Sequence, residues 1–148
     1  MKKIVTILCV VTLVMTSGCA SKETEYRSDI TVYTSGDLLM YVKEGTVSST
    51  GISVIVYNHT GKTFFSGADN NYHLEYFLNG KWYYVKPIVD GWAVVSIAKG
   101  YGTGTYKITV NWEEYYGELS PGRYRFVKKF TTEYNKEDIW LAAEFSIE

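Results

Sequence analysis

The sequence predicts an all-β fold, an antiparallel β-sandwich of about seven to nine short strands, and three observations carry that reading. Apolar and polar residues alternate in run after run, while no stretch keeps a helical period long enough to compete. Glycine, asparagine, proline and serine supply turn chemistry at nearly every break between the runs. The third observation is the stretch Tyr115–Phe130, YYGELSPGRYRFVKKF. Pro121 and Gly122 close a tight turn there, and Tyr124 follows at the head of an alternating strand. Ig-type sandwiches place a tyrosine in this position and bond its hydroxyl to backbone just upstream. Pro121, Gly122 and Tyr124 are therefore assigned as a structural corner, and the sandwich as immunoglobulin-like. A small closed barrel shares the periodicity and is the alternative fold.

The chain opens with Lys2 and Lys3, an apolar run from Ile4 to Val14, and the small or polar residues Thr16, Ser17 and Gly18 before Cys19. That run is too short to cross a bilayer, which takes about 20 apolar residues. Its layout is that of a secretory leader, so 1–18 is read as a signal peptide. Residues 20–29, ASKETEYRSD, are polar and mixed in charge, and read as a tether ahead of a single domain spanning 30–148. Loss of Lys2 and Lys3 with the leader leaves 13 basic against 16 acidic residues, a balance that excludes the basic face nucleic acid requires.

The strands are expected in sequence. The first covers Leu38–Val42, with an edge piece at Ile30–Tyr33. Gly51–Asn58 alternates, with Ile52, Val54 and Val56 inward and Ile55 as an apolar exception on the outer face. Tyr72–Leu78 and Lys81–Val85 flank Asn79-Gly80, a pair suited to the positive φ angles of a type I′ hairpin turn. Pro87 ends that hairpin by removing a ladder donor. Trp92–Ile97 and Thr105–Asn111 are the next two strands, separated by a flexible tip at Lys99–Gly104. The corner strand and Ile139–Ile147 complete the set. On the corner strand Tyr124, Phe126 and Phe130 face inward and Arg123, Arg125 and Lys129 form a solvated basic stripe, while Lys128 falls on the inward side and breaks the pattern.

Two resemblances follow from these residues. MTSGC resembles the lipobox of bacterial lipoproteins, which implies that Cys19 carries a diacylglyceryl group; two acyl chains suffice for stable anchoring. With Cys9 lost in the leader and Cys19 lipidated, the mature domain has no disulfide and rests on its core. GISVIVYNHTGKTFF, LEYFLNGKWYYV, NWEEYYGELSPGRYRFVKKF and LAAEFSIE, in that order, resemble the bacterial Ig-like domain of exported and lipid-anchored proteins. The resemblance implies an extracytoplasmic, membrane-anchored protein of a Gram-positive bacterium and carries no catalytic residues across. The glycine-rich stretch Tyr101–Thr105 departs from the proline-containing turn of relatives.

No G-x-S-x-G elbow, H-E-x-x-H, P-loop or C-x-x-C occurs, and the mature chain holds only His59 and His73 for general-base work. The chain is read as a non-enzyme that needs no cofactor. Gly100, Gly102 and Gly104 echo a phosphate loop but lead into a strand, not a helix. Asp69-Asn70-Asn71 near His73 lacks the spaced carboxylates of a calcium loop, so no metal is assigned. The acidic group Glu113, Glu114 and Glu118 reads as a solvated turn. Aromatic residues are the stronger signal: Tyr101, Trp112, Tyr115 and Tyr116 are the candidate ligand-binding set, since such rings anchor proteins or stack on sugars. The expected function is a non-catalytic interaction module at the cell surface, with a protein or cell-wall polymer as partner. A carbohydrate or wall-polymer binder and a protease-inhibitor-like domain are the alternatives.

Overall fold

The computed structural model describes residues 26–90, 98–132 and 137–148. The leader, Cys19, most of the tether and the strand expected at Trp92–Ile97 lie outside the described residues. Nine strands are formed among those described: β1 (Leu38–Val42), β2 (Gly51–Asn58), β3 (Phe64–Ser66), β4 (His73–Leu78), β5 (Lys81–Tyr84), β6 (Lys99–Tyr101), β7 (Gly104–Asn111), β8 (Gly122–Thr132) and β9 (Asp138–Ile147). They make two antiparallel sheets. The smaller runs β1-β2-β7; in the larger, β8 is central, with β9 on one flank and β4, β5, β3 and β6 on the other. Two separate sheets set the closed-barrel alternative aside.

Alternation decides which side chains lie between the sheets. Leu38, Met40, Ile52, Val54, Val56, Ile108 and Val110 come from the smaller sheet, and Leu74, Phe126, Phe130, Leu141, Ala143 and Phe145 face them from the larger. The β4–β5 hairpin turns on Asn79 (φ 50°) and Gly80 (φ 77°), the left-handed pair that a type I′ turn requires. Tyr124 Oη donates to Ser120 O at 2.8 Å, bonding backbone four residues upstream while its ring stacks on Phe145. Tyr124→Phe keeps the ring and removes that bond, so it is expected to lower unfolding free energy by about 1 kcal/mol in urea titration.

Three short elements were not legible from periodicity. β3 and β6 pair with each other, so the tip expected to be flexible is in part a strand. One helical turn, α1 (Glu113–Tyr116), follows β7 and stops at Gly117, φ 67°. Three or four residues do not complete a diagnostic period. β3 and β4 behave as one strand interrupted by a loop: Phe64 pairs with Thr132 and His73 with Val127, so nine steps on one side match five on β8.

The segment from Tyr26 to Tyr33 is docked, although its first four residues read as tether. Tyr26 O accepts from Tyr84 N at 2.7 Å and Ser28 N donates to Trp82 O at 2.9 Å, adding a short piece to the edge of β5. The chain then crosses the outer face of the larger sheet, where Ser28 Oγ donates to Glu75 at 2.7 Å. It reaches the opposite flank, where Val32 bridges Trp140 in parallel and Tyr33 N donates to Trp140 O at 2.8 Å. Polar composition hid this strap because most of its bonds are made by backbone.

Candidate interaction surface

The aromatic set singled out from sequence is largely core. Tyr101 and Trp112 are fully buried and Tyr116 is 6 % exposed, while Tyr115 packs half-buried against the core. Trp112 stacks on Phe145 and donates its indole N–H to Ser49 O at 2.9 Å. Tyr101 meets Tyr106 and Phe130 edge-on, each at 5.2 Å. The expectation of an exposed ligand-binding set at Tyr101, Trp112, Tyr115 and Tyr116 is therefore corrected. The β3–β6 pairing draws Tyr101 inward, and the turn of α1 directs Tyr116 back onto the sandwich.

A second correction concerns the basic stripe. Arg123 and Lys129 are exposed, paired with Glu144 and Asp138, but Arg125 is 7 % exposed beneath the strap. Its guanidinium donates to Glu75 Oε2, with Nε at 2.6 Å, and lies 4.5 Å from the Trp82 ring centre. Glu75, itself fully buried, receives Ser28 Oγ at 2.7 Å and His73 Nε2 at 2.9 Å on its other oxygen. Burial raises the Glu75 pKa, but the bonds from His73 and Ser28 and the charge and bond of Arg125 outweigh it and hold the carboxyl below its ordinary value. Serine, histidine and acid thus meet in one place without forming a nucleophile. The carboxylate stands between hydroxyl and imidazole, so the ring does not take the serine proton.

The loop read as a weak metal candidate already holds a cation. Lys128 Nζ donates to the carbonyls of Gly67 at 3.2 Å, Ala68 at 2.7 Å and Asn71 at 2.9 Å, using all three of its hydrogens. This accounts for the break in alternation: Lys128 points inward, is fully buried, and the inserted loop closes over its ammonium. No group of three or more metal-binding side chains occurs among the described residues. Burial pushes the Lys128 pKa from 10.5 to about 8, with Lys99 adding to the shift and Asp69 opposing it.

A pH dependence follows. Above about pH 8 the folded chain releases this proton while the unfolded chain keeps it to about 10.5, so the unfolded state binds more protons and stability rises with pH, by up to about 1.4 kcal/mol per unit. Near pH 10 the sign reverses. Burial raises the pKa of Tyr116 to about 12 and that of Tyr72 and Tyr101 further, so these groups stay protonated in the fold after the unfolded chain has lost the protons. Urea midpoints are expected to peak near pH 10, and Lys128→Met is expected to remove the rise.

One surface open to recognition among the described residues is the outer face of the smaller sheet. Register sets Tyr41 beside Ile55 and Ile55 beside Lys107, with Leu39 beside Tyr57 in the neighbouring row. Tyr41 is 46 % exposed, and Tyr57 stacks on the exposed His59 with ring centres 4.5 Å apart and planes 6° from parallel. The one sequence signal for this face was Ile55, an apolar residue where alternation asks for a polar one. By contrast a depression of 490 Å³, between residues 32–36, β1 and β9, is lined without a carboxylate, imidazole, amine or thiol. No helix among the described residues is long and apolar enough to cross a membrane.

A family model described as a bacterial Ig-like domain matches residues 34–146, most of the chain. Searches of curated proteins and of solved structures returned no match.

Proposed function

This chain belongs to the bacterial Ig-like domain family, and from that premise we propose that it is a non-catalytic interaction module, held through lipid on Cys19 at the outer face of the cytoplasmic membrane and binding a protein partner. The observation that supports a recognition role is the group Tyr41, Ile55, Tyr57 and His59 at the outer face of the smaller sheet, in which Tyr41 and His59 are exposed and Ile55 and Tyr57 half-buried. Tyrosine gives large rigid contact area at low entropic cost, and such rings dominate protein interfaces.

The test is cross-linking and capture with the full chain in native membranes, beside the double variant Tyr41→Ala/Tyr57→Ala. One captured protein that the variant loses, with the urea midpoint unchanged, is the expected result. Equal capture by the variant would move recognition off this face. Retention by purified peptidoglycan or teichoic acid, abolished by the same double variant, would instead assign the rings to a wall polymer.

A further inference from the structure

We infer that the outer face of the smaller sheet receives an acidic protein segment, one that sets an apolar side chain over Tyr41 and Ile55 and carboxylates against Lys43 and Lys107. The inference rests on the interaction-module reading above and adds to it the chemistry of the partner.

Register draws the patch. Leu39 stands beside Tyr57 and, in the next row of the same face, Tyr41 beside Ile55. Lys107 of β7 extends that second row past Ile55. The bond from Lys43 N to Ser53 O at 2.9 Å carries the pairing of β1 and β2 one step beyond Val42, so alternation puts Lys43 on the side of Tyr41. Both lysines are exposed. Two strand spacings and two residues separate them, about 12 Å between Cα atoms.

Charge on this face has one sign. Lys43 and Lys107 are the only charged residues in 39–43, 51–58 and 104–111. Asp37, Glu44 and Glu113 stand just outside these strands, yet neither lysine is ion-paired among the described residues. Residues 91–97, outside the described residues, read GWAVVSI and have no carboxylate to supply. The larger sheet is the contrast: on its outer face Arg123 pairs with Glu144, Arg125 with Glu75 and Lys129 with Asp138. One face is neutralised by its own carboxylates, and the other leaves its cations to be matched from outside.

An apolar centre within a polar rim is how protein interfaces are built. Charges at such a rim speed encounter with a partner of opposite sign and disfavour one of like sign, more than they add affinity. Leu39 and Ile55, set among the rings, call for an apolar side chain. A protein segment can offer that beside its carboxylates; a polyol phosphate of the wall cannot.

Carbodiimide coupling tests this on the full chain in native membranes, because it joins a lysine amine to a carboxylate only where the two already touch, and mass spectrometry of the adduct identifies both residues. Lys43 and Lys107 are expected to couple to Asp or Glu of one partner segment. Their yield should exceed by about tenfold that of Lys81 and Lys86, which are exposed but lie off this face, and the excess should vanish in about 0.5 M salt. Lys43→Gln/Lys107→Gln is expected to lower partner capture by about threefold or more at low salt. No adduct, adducts spread evenly over the four lysines, or capture unchanged by the lysine variant overturns the acidic partner. If capture still depends on Tyr41 and Tyr57, the interaction module then stands. Adducts carrying wall polymer in place of peptide overturn a protein occupant. Capture indifferent to both double variants overturns both readings.

Discussion

Arg125→Met is expected to cost about 3–5 kcal/mol of unfolding free energy, because it leaves Glu75 buried without its guanidinium partner. Methionine keeps most of the side-chain volume, so the loss reports charge and hydrogen bonding, not a cavity. The double variant Glu75→Leu/Arg125→Met is expected to recover most of the loss, since replacing a buried pair by apolar groups is often neutral or favourable. Acid titration supplies a second readout. Glu75 is held below the ordinary 4.5, so its contribution is complete above that value and disappears as pH falls through the lower folded value. In the double variant this acid-side loss should be absent. An Arg125→Met protein as stable as the parent would show that the strap does not seal the pair from water.

Trp112→Ala is expected to destabilise the domain by a similar 3–5 kcal/mol. The ring is fully buried, stacks on Phe145 at 5.6 Å and ties the end of β7 to Ser49 through its indole nitrogen. Trp112→Phe should recover part of the packing while leaving the Ser49 carbonyl without its partner, an intermediate loss. The pair of variants separates two roles that sequence alone leaves superposed. A binding tryptophan would lose partner capture at unchanged stability; a core tryptophan loses urea resistance first.

What sequence conveyed and what it withheld divide along the range of the interactions. The hairpin at Asn79-Gly80, the corner at Tyr124 and the bounds of β1 and β2 depend on neighbours within a few residues, and all are read from local chemistry. Arg125 and Lys128 depend on partners some fifty to sixty residues away, Glu75 for one and the 67–71 loop for the other. On a strand Arg125 looks like a residue facing water, and Lys128, though on the inward count, shows only as a break in the pattern. Tyr101 misled for the same reason: three flanking glycines suggest an open tip until β3 is known to pair with it. The exposed face at Tyr41 and Tyr57 left one local trace, Ile55, because an alternation pattern says which residues share a face but not which face is covered.

The strap has a bearing on company as well as on stability. A sheet that ends in free backbone donors and acceptors invites any other chain to continue it. Here the same eight-residue segment blocks such growth at Trp82–Tyr84 on one flank and at Trp140 on the other. For a module held at a membrane, as proposed above, where neighbours would meet constantly, that would be protection against joining edge to edge. A version begun at Asp37 would keep the residues of the core and yet offer two raw edges, and a self-contained domain would become the seed of a fibre.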